Sequence, residues 1–357
     1  MKYINSVLEA IGKTHLLKLN KIGKDVDANV FVKLEHLNPS GSYKDRMALA
    51  MIEAAEKGET WNGKRILPGA TVVDASAGNT APAVALVCAA KGYKAKIYLY
   101  RYYFEKEVDA RFKITSAYGP EVKVSSDPRK YISEDEATRL YELNGDLLDV
   151  LTAKRDCAQE EEESPNAIWI DQIYNSANYL GQKSIGYEIY DQLDGKIDAI
   201  GCSAGSGASL FGMCLAMKER GVKLETTFGV IPEGSEQYIE MEKNESERGE
   251  FYITGNQKEM ASALGVEKWV KEKSVLEEMV AAGYPDKFFR VSSDEARAMA
   301  NRLCSEEGIY CGMSSGANVA VALKLASRMK KGQNVVTLIV DRRDRYLSEY
   351  PNDQYVV

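Results

Sequence analysis

Short runs of β-branched and apolar residues alternate with helix-period segments along most of the chain, and that alternation constrains the fold more than any other feature. Asn29 to Leu34, Thr71 to Ala75, Ala95 to Leu99, Glu121 to Val124, Ala167 to Ile170, Ile197 to Cys202, Thr226 to Ile231 and Val335 to Val340 read as strands. The segments between them repeat apolar residues at helical spacing, as Ala48, Met51, Ile52 and Ala55 do, so βα units around largely parallel sheets are expected, an α/β fold. At 357 residues the chain is long for one domain, and two lobes around a cleft fit it. The rhythm breaks from about 125 to 165. There Asp127-Pro128, a helical stretch near Glu134 to Leu143 and the run Glu160 to Glu163 read as a solvated crossing between lobes. The charged region Glu233 to Lys287 reads as surface helices, and Ser292 with Glu295 is a capping pattern that opens another helix.

Four loops carry the chemistry. Asn38-Pro39-Ser40-Gly41-Ser42-Tyr43 is a turn-forming run that delivers Lys44 to the mouth of a helix, where an amine can be held while it faces a cleft. A lone lysine at a helix start is more often a solvated surface group, so the reading of Lys44 as a covalent anchor depends on the other three. The strand ending at Cys202 runs into Ser203 to Ser209. This small-residue loop exposes backbone amides beside a helix N-terminus and suits a phosphate, with hydroxyls from Ser206 and Ser209. Gly205-x-Gly207 loosely follows a dinucleotide fingerprint, but Leu210 stands at the third glycine position, and many bare glycine loops are only tight turns. Ser76-Ala77-Gly78-Asn79-Thr80 opens a helix in the same way and can hold a carboxylate, while the Asn79 amide can bond a ring hydroxyl. Cys311 to Asn318 is a third small-residue loop, whose serine can meet a neutral ring nitrogen without protonating it.

Composition narrows the partners. The net charge is -7 and no long basic run exists, which argues against nucleic acid or an anionic membrane. Only His15 and His36 are present, so a histidine-rich metal site and a His-dependent triad are not expected. The six cysteines show no CxxC pairing and lie mostly in apolar runs, as reduced core residues do. No stretch reaches the ~18 apolar residues of a membrane span, and the N-terminus lacks the apolar run of a secretion signal. A cytoplasmic protein is expected.

Taken in order, the motifs resemble those of the fold type II pyridoxal 5′-phosphate enzymes, and within them the cysteine synthase and cystathionine β-synthase family. The resemblance runs from Ile11-Gly12-Lys13-Thr14 through Pro39 to Arg46, Ser76 to Thr80, Asp171-Gln172, Gly205 to Ser209, Pro232 to Ser235 and Gly312 to Gly316, to Asp344 to Ser348. It implies a smaller, carboxylate-binding lobe at 37–155 and a larger, phosphate-binding lobe from 1–36 and 156–357. It also implies roles: Lys44 anchors the cofactor and moves the substrate α-proton, Gly205, Ser206, Gly207, Ala208 and Ser209 hold its phosphate, Asn79 its ring hydroxyl and Ser314 its ring nitrogen. Ser76, Ala77, Gly78, Thr80 and Gln172 would bind the substrate carboxylate. Serine beside the ring nitrogen makes a weaker electron sink than aspartate does, which favours early loss of a β-substituent.

The implied activity is β-replacement on cysteine, serine or an O-activated serine through an aminoacrylate, with a thiol or sulfide as nucleophile. The alternative is a β-lyase releasing pyruvate and ammonia. A protein that binds the cofactor or a partner without turnover is the remaining reading, and a homodimer is expected. The sequence departs from the family at Ala77, usually serine, at His15, usually proline, and at Ile231, where an acidic residue is common. No Gly-Ile-Gly loop is recognisable between Gly255 and Val266, Tyr100 to Tyr103 replaces smaller residues, and Asp341-Arg342-Arg343 replaces a more neutral pattern.

Overall fold

The computed structural model describes residues 3–60, 63–76, 78–101, 109–233, 255–267 and 273–349. Ala77, Tyr102, Tyr103, Gly234 and Ser235 lie outside them. The βα alternation builds two sheets. In the smaller, β3 (Thr71–Ala75), β4 (Lys94–Leu99), β5 (Glu121–Val124) and β6 (Ala167–Trp169) run parallel in the order β5-β4-β3-β6. The larger has the order β1-β2-β10-β7-β8-β9, from β1 (Leu16–Lys18), β2 (Asn29–Leu34), β7 (Ala199–Ser203), β8 (Thr226–Pro232), β9 (Lys287–Val291) and β10 (Asn334–Ile339). Among the described strands its edge strand β1 alone pairs antiparallel.

The helices are α1 (Lys44–Lys57), α2 (Thr80–Lys91), α3 (Asp109–Ser116), α4 (Glu134–Glu163), α5 (Ser176–Gln192), α6 (Ala208–Glu219), α7 (Gly255–Ala263), α8 (Val275–Ala281), α9 (Ser293–Glu307) and α10 (Met313–Ala326). Because strand side chains alternate, β3 sends Val72 to one face, against Met51 and Ile52 of α1 and Val84 and Val87 of α2. Val73 and Ala75 go to the other face, against Leu140, Leu148 and Leu151 of α4.

That second face corrects the expectation of a solvated crossing. α4 is a long helix laid on the small sheet. Each of its buried leucines contributes about 1.5–3 kcal/mol of hydrophobic stabilisation. It bends at Asn144, whose φ of -167° is not helical and whose side chain accepts from the Leu147 amide, capping the second half. The glutamate run is also engaged: Glu160 takes Lys96 at 2.6 Å and Tyr98 at 3.0 Å, and Glu161 accepts the Trp169 amide at 3.0 Å. The boundary expected at residue 155 falls inside α4, and β6 pairs with β3, so the small sheet continues to Trp169. Within the region expected to hold surface helices, α7 is part of the core, with Met260 and Ala261, and Leu264 just after it, buried beneath α4.

Parallel strands put their C-terminal ends on one edge of a sheet, where open α/β folds bind ligands. β2, β7 and β10 lead to the Lys44 loop, the Gly205 loop and Asp341, while β3 and β6 lead to Ser76 and Gln172. Behind Lys44, Arg46 fixes α1 to the larger sheet. Its guanidinium bonds both oxygens of fully buried Glu35 at 2.8 Å and Glu188 of α5 at 2.6 Å and 2.9 Å. Lys33 completes the network, 2.7 Å from Glu188.

Candidate active site

Gly41, at φ +88°, turns the chain into the buried Ser40–Ser42 stretch, and Asp45 ties that turn to α1 by accepting from the Ser40 amide at 2.7 Å and from the Ser40 hydroxyl. Lys44 is therefore presented from a rigid first helical turn. Its Nζ donates to Gln172 Oε1 at 3.4 Å, and the same oxygen accepts the Thr80 hydroxyl at 2.7 Å. Gln172 is held in turn by Asn178, which donates to its carbonyl at 2.7 Å. Desolvation lowers the Lys44 amine to about 8, with the nearby Asp74 carboxyl acting in the opposite direction. Near that pH half of the amine is neutral, and so able to attack a carbonyl or take a proton.

Ser76 is buried and its hydroxyl accepts the Gly78 amide at 3.0 Å, which shapes the loop ahead of Thr80. Beneath this loop lies a charge cluster. Lys154 bonds both oxygens of Asp171 at 2.9 Å and 3.0 Å, between the rings of Trp169 and Tyr174, and so fixes the residue before Gln172. Asp74 is its neighbour. Burial, then the charge of Asp171, pushes its carboxyl up to about 7, and its Oδ2 has no hydrogen-bond partner among the described residues. A carboxyl raised on folding adds stability below its unfolded value near 3.8, and that contribution is lost as the pH rises through about 7. Asp74→Asn is therefore expected to melt close to wild type at pH 4 and to become more stable than it, by about 1–3 kcal/mol, at pH 8. Parallel melting curves across that range check this.

Gly207 caps α6 in the left-handed region, at φ +76°, leaving the first-turn amides of Ala208, Ser209 and Leu210 without intrahelical acceptors. Gly205 is exposed with open space where a Cβ would lie, Ser206 is half-buried, and Ala208 and Ser209 are buried. A Cβ on Gly207 would sit 3.0 Å from Leu276 and 3.2 Å from Met279. Gly207→Ala is thus expected to destabilise by about 1–2 kcal/mol and to weaken binding of a phosphate-bearing ligand, measured by melting and by titration with pyridoxal phosphate.

Of two adjacent serines at the start of α10, Ser315 is fully buried and accepts the Val340 amide at 3.0 Å, whereas Ser314 is exposed. The exposed one, Ser314, is the serine that the sequence motif assigns to a ring nitrogen. Asn79 donates to Asp341 Oδ2 at 2.6 Å, and its carbonyl accepts from Arg345. Sequence reasoning gave neither partner a place in the site. The Asp341-Arg342-Arg343 departure and the Asp344 to Ser348 motif were its only signals.

The donor set fits pyridoxal phosphate: an amine that can be neutral, a helix N-terminus with unspent amides, an amide beside the cleft and an uncharged hydroxyl. The chain belongs to the pyridoxal-phosphate dependent enzyme family, which it matches over residues 7–341, and is a fold type II enzyme. It is 30% identical to cystathionine beta-synthase of Rattus norvegicus, over 100% of this chain and 57% of that protein. The chain thus spans a little more than half the length of the cystathionine beta-synthases it matches. It is 31% identical to cysteine synthase of Staphylococcus aureus, over 97% of this chain and 96% of that protein. Among solved structures it resembles a hydrogen sulfide-producing enzyme from Fusobacterium nucleatum, with a TM-score of 0.73, 26% identity, and coverage of 97% of this chain and 99% of that one.

Proposed function

We propose that the protein exchanges the β-substituent of a small L-amino acid, cysteine, serine or an O-activated serine, for a thiol or sulfide. The observation that carries this is the placement of the Lys44 amine, which shares the Gln172 Oε1 acceptor with the Thr80 hydroxyl at the edge where the strands of both sheets end. Bound pyridoxal phosphate supplies the electron sink for the substrate α-carbon. Lys44 anchors it and afterwards holds the α-proton on Nζ. Gly205, Ser206, Gly207, Ala208 and Ser209 take its phosphate, Asn79 its ring hydroxyl and Ser314 its ring nitrogen. Ser76, Ala77, Gly78, Thr80 and Gln172 would bind the substrate carboxylate.

The hydrogen sulfide-producing relative supports a second reading, elimination to pyruvate and ammonia. Product analysis with L-cysteine, L-serine, O-acetyl-L-serine and O-phospho-L-serine, each with and without excess thiol, separates them. Replacement requires a thioether or new cysteine to form at the rate of substrate loss. Pyruvate forming at that rate despite excess thiol would sink the replacement reading. We place the protein in the cytoplasm, in keeping with six unpaired cysteines, and as a homodimer of two-lobed subunits, which a sizing column tests.

A further inference from the structure

The Asn79 side chain sits between two charged groups of opposite hydrogen-bonding character. Its Oδ1 accepts from Arg345, and its Nδ2 donates to Asp341 Oδ2 at 2.6 Å. A guanidinium can only donate, and Asp341 Oδ2 already accepts the Tyr346 hydroxyl at 2.5 Å. Turning the amide over would set donor against donor at Arg345 and acceptor against acceptor at Asp341. One N–H of the two on Nδ2 is spent on Asp341, which leaves one.

We infer that Arg345 and Asp341 are positioning residues that lock the Asn79 amide in one orientation, reserving its second N–H for the cofactor ring hydroxyl. The inference rests on the reading that Asn79 faces that hydroxyl.

The lock is built rather than incidental. Arg345 is buried and also donates to the Ser40 carbonyl, in the loop that precedes Lys44. Asp341 is buried, and burial raises its carboxyl against the pull of Tyr346, Arg345 and Asn79. Around it the backbone is pinned: Tyr43 donates to the Val340 carbonyl at 3.1 Å, Arg342 to Gly41 at 3.1 Å, and Gly312 to Asp341 at 3.3 Å. Asp341 thus lies where the Lys44 loop, the Asn79 loop and the Ser314 loop meet. A Cβ on Gly312 would fall 2.6 Å from Asp341 Oδ1 and 2.8 Å from the Tyr346 ring, so glycine is what admits the carboxylate there. Asn79 comes from the smaller sheet and its two partners follow the last strand of the larger one, so the lock also spans the cleft.

A double-mutant cycle tests this in the full chain, with Arg345→Met, Asn79→Ala and both together. Two quantities are read: the dissociation constant of pyridoxal phosphate from absorbance titration, and the pH midpoint of the bound cofactor's visible band. Arg345→Met is expected to weaken binding about tenfold and to move the midpoint upward when Asn79 is present, and to change either by less than about twofold in the Asn79→Ala background. Arg345→Lys, which keeps the charge without the two-pronged donor, should fall between. An equal loss in both backgrounds would overturn the lock, because Arg345 would then act without Asn79. If Asn79→Ala alone changed neither quantity, the ring-hydroxyl reading would fall and the lock with it. Should Arg345→Met not fold, as melting of the cofactor-free protein would reveal, Asp341→Asn carries the same cycle, since its rotatable amide loosens the acceptor side.

Discussion

Lys44→Ala is expected to lower turnover of any β-substituted amino acid by at least about 10²–10⁴-fold, the range typical of a positioned proton-transfer group. It is also expected to abolish covalent retention of the cofactor. Borohydride treatment of the loaded wild type should fix the cofactor to the peptide containing Lys44, and treatment of the variant should fix none. Unchanged turnover in the variant would refute the role. The pH dependence follows from the cleft. Below about 8 the amine is protonated and cannot attack, and above it the amine is neutral, so cofactor capture by the cofactor-free protein should rise with pH across about 8. A midpoint near 10.5, the value of an ordinary lysine, would mean that burial does not tune it.

The second large effect is structural. Arg46→Leu is expected to destabilise the protein by about 3–5 kcal/mol, because it strands the fully buried carboxylate of Glu35 and removes the main partner of Glu188. Melting should fall by on the order of 10 °C. The pH profile identifies the cause. Burial alone would push the Glu188 carboxyl up, but its hydrogen bonds and ion pairs with Arg46 and Lys33 outweigh this and hold it near 2. A carboxyl depressed in this way adds stability above its unfolded value near 4.5 and loses it as the pH falls toward about 2. The Arg46→Leu variant should lack most of that acid-induced loss. An equal penalty at pH 3 and pH 7 would show that Arg46 acts through packing of its alkyl chain instead. Lys44 begins the same helix, two residues away, so the variant should also bind the cofactor less tightly.

The alternation of strand and helix was legible because its causes are local: side chains alternate along a strand and recur every three to four residues along a helix. The helix Thr80–Lys91, closed by Gly92 in the left-handed region, stands where the spacing sets it. The charged stretch at 125–165 misled because charge was read as exposure. Its Leu140, Leu148, Leu151 and Cys157 are buried against the small sheet, and Lys96 and Lys64 pair with two of its glutamates.

The loops of small residues were legible in the same way as the strands. Gly41 and Gly207 stand at positive φ, which glycine enters without steric penalty, and a helix that begins after a strand presents unspent amides whatever surrounds it. What the sequence by itself determined was therefore an α/β chain with a lysine at a helix start and small-residue loops that open helices. Only the tertiary structure decided which of Ser314 and Ser315 is exposed and which is buried, that Lys154 supports Asp171 beneath Gln172, and that Asn79 meets Arg345 across 266 residues of chain. Those choices depend on where packed side chains place donors and acceptors a few ångströms apart, and no local propensity of the chain encodes such distances.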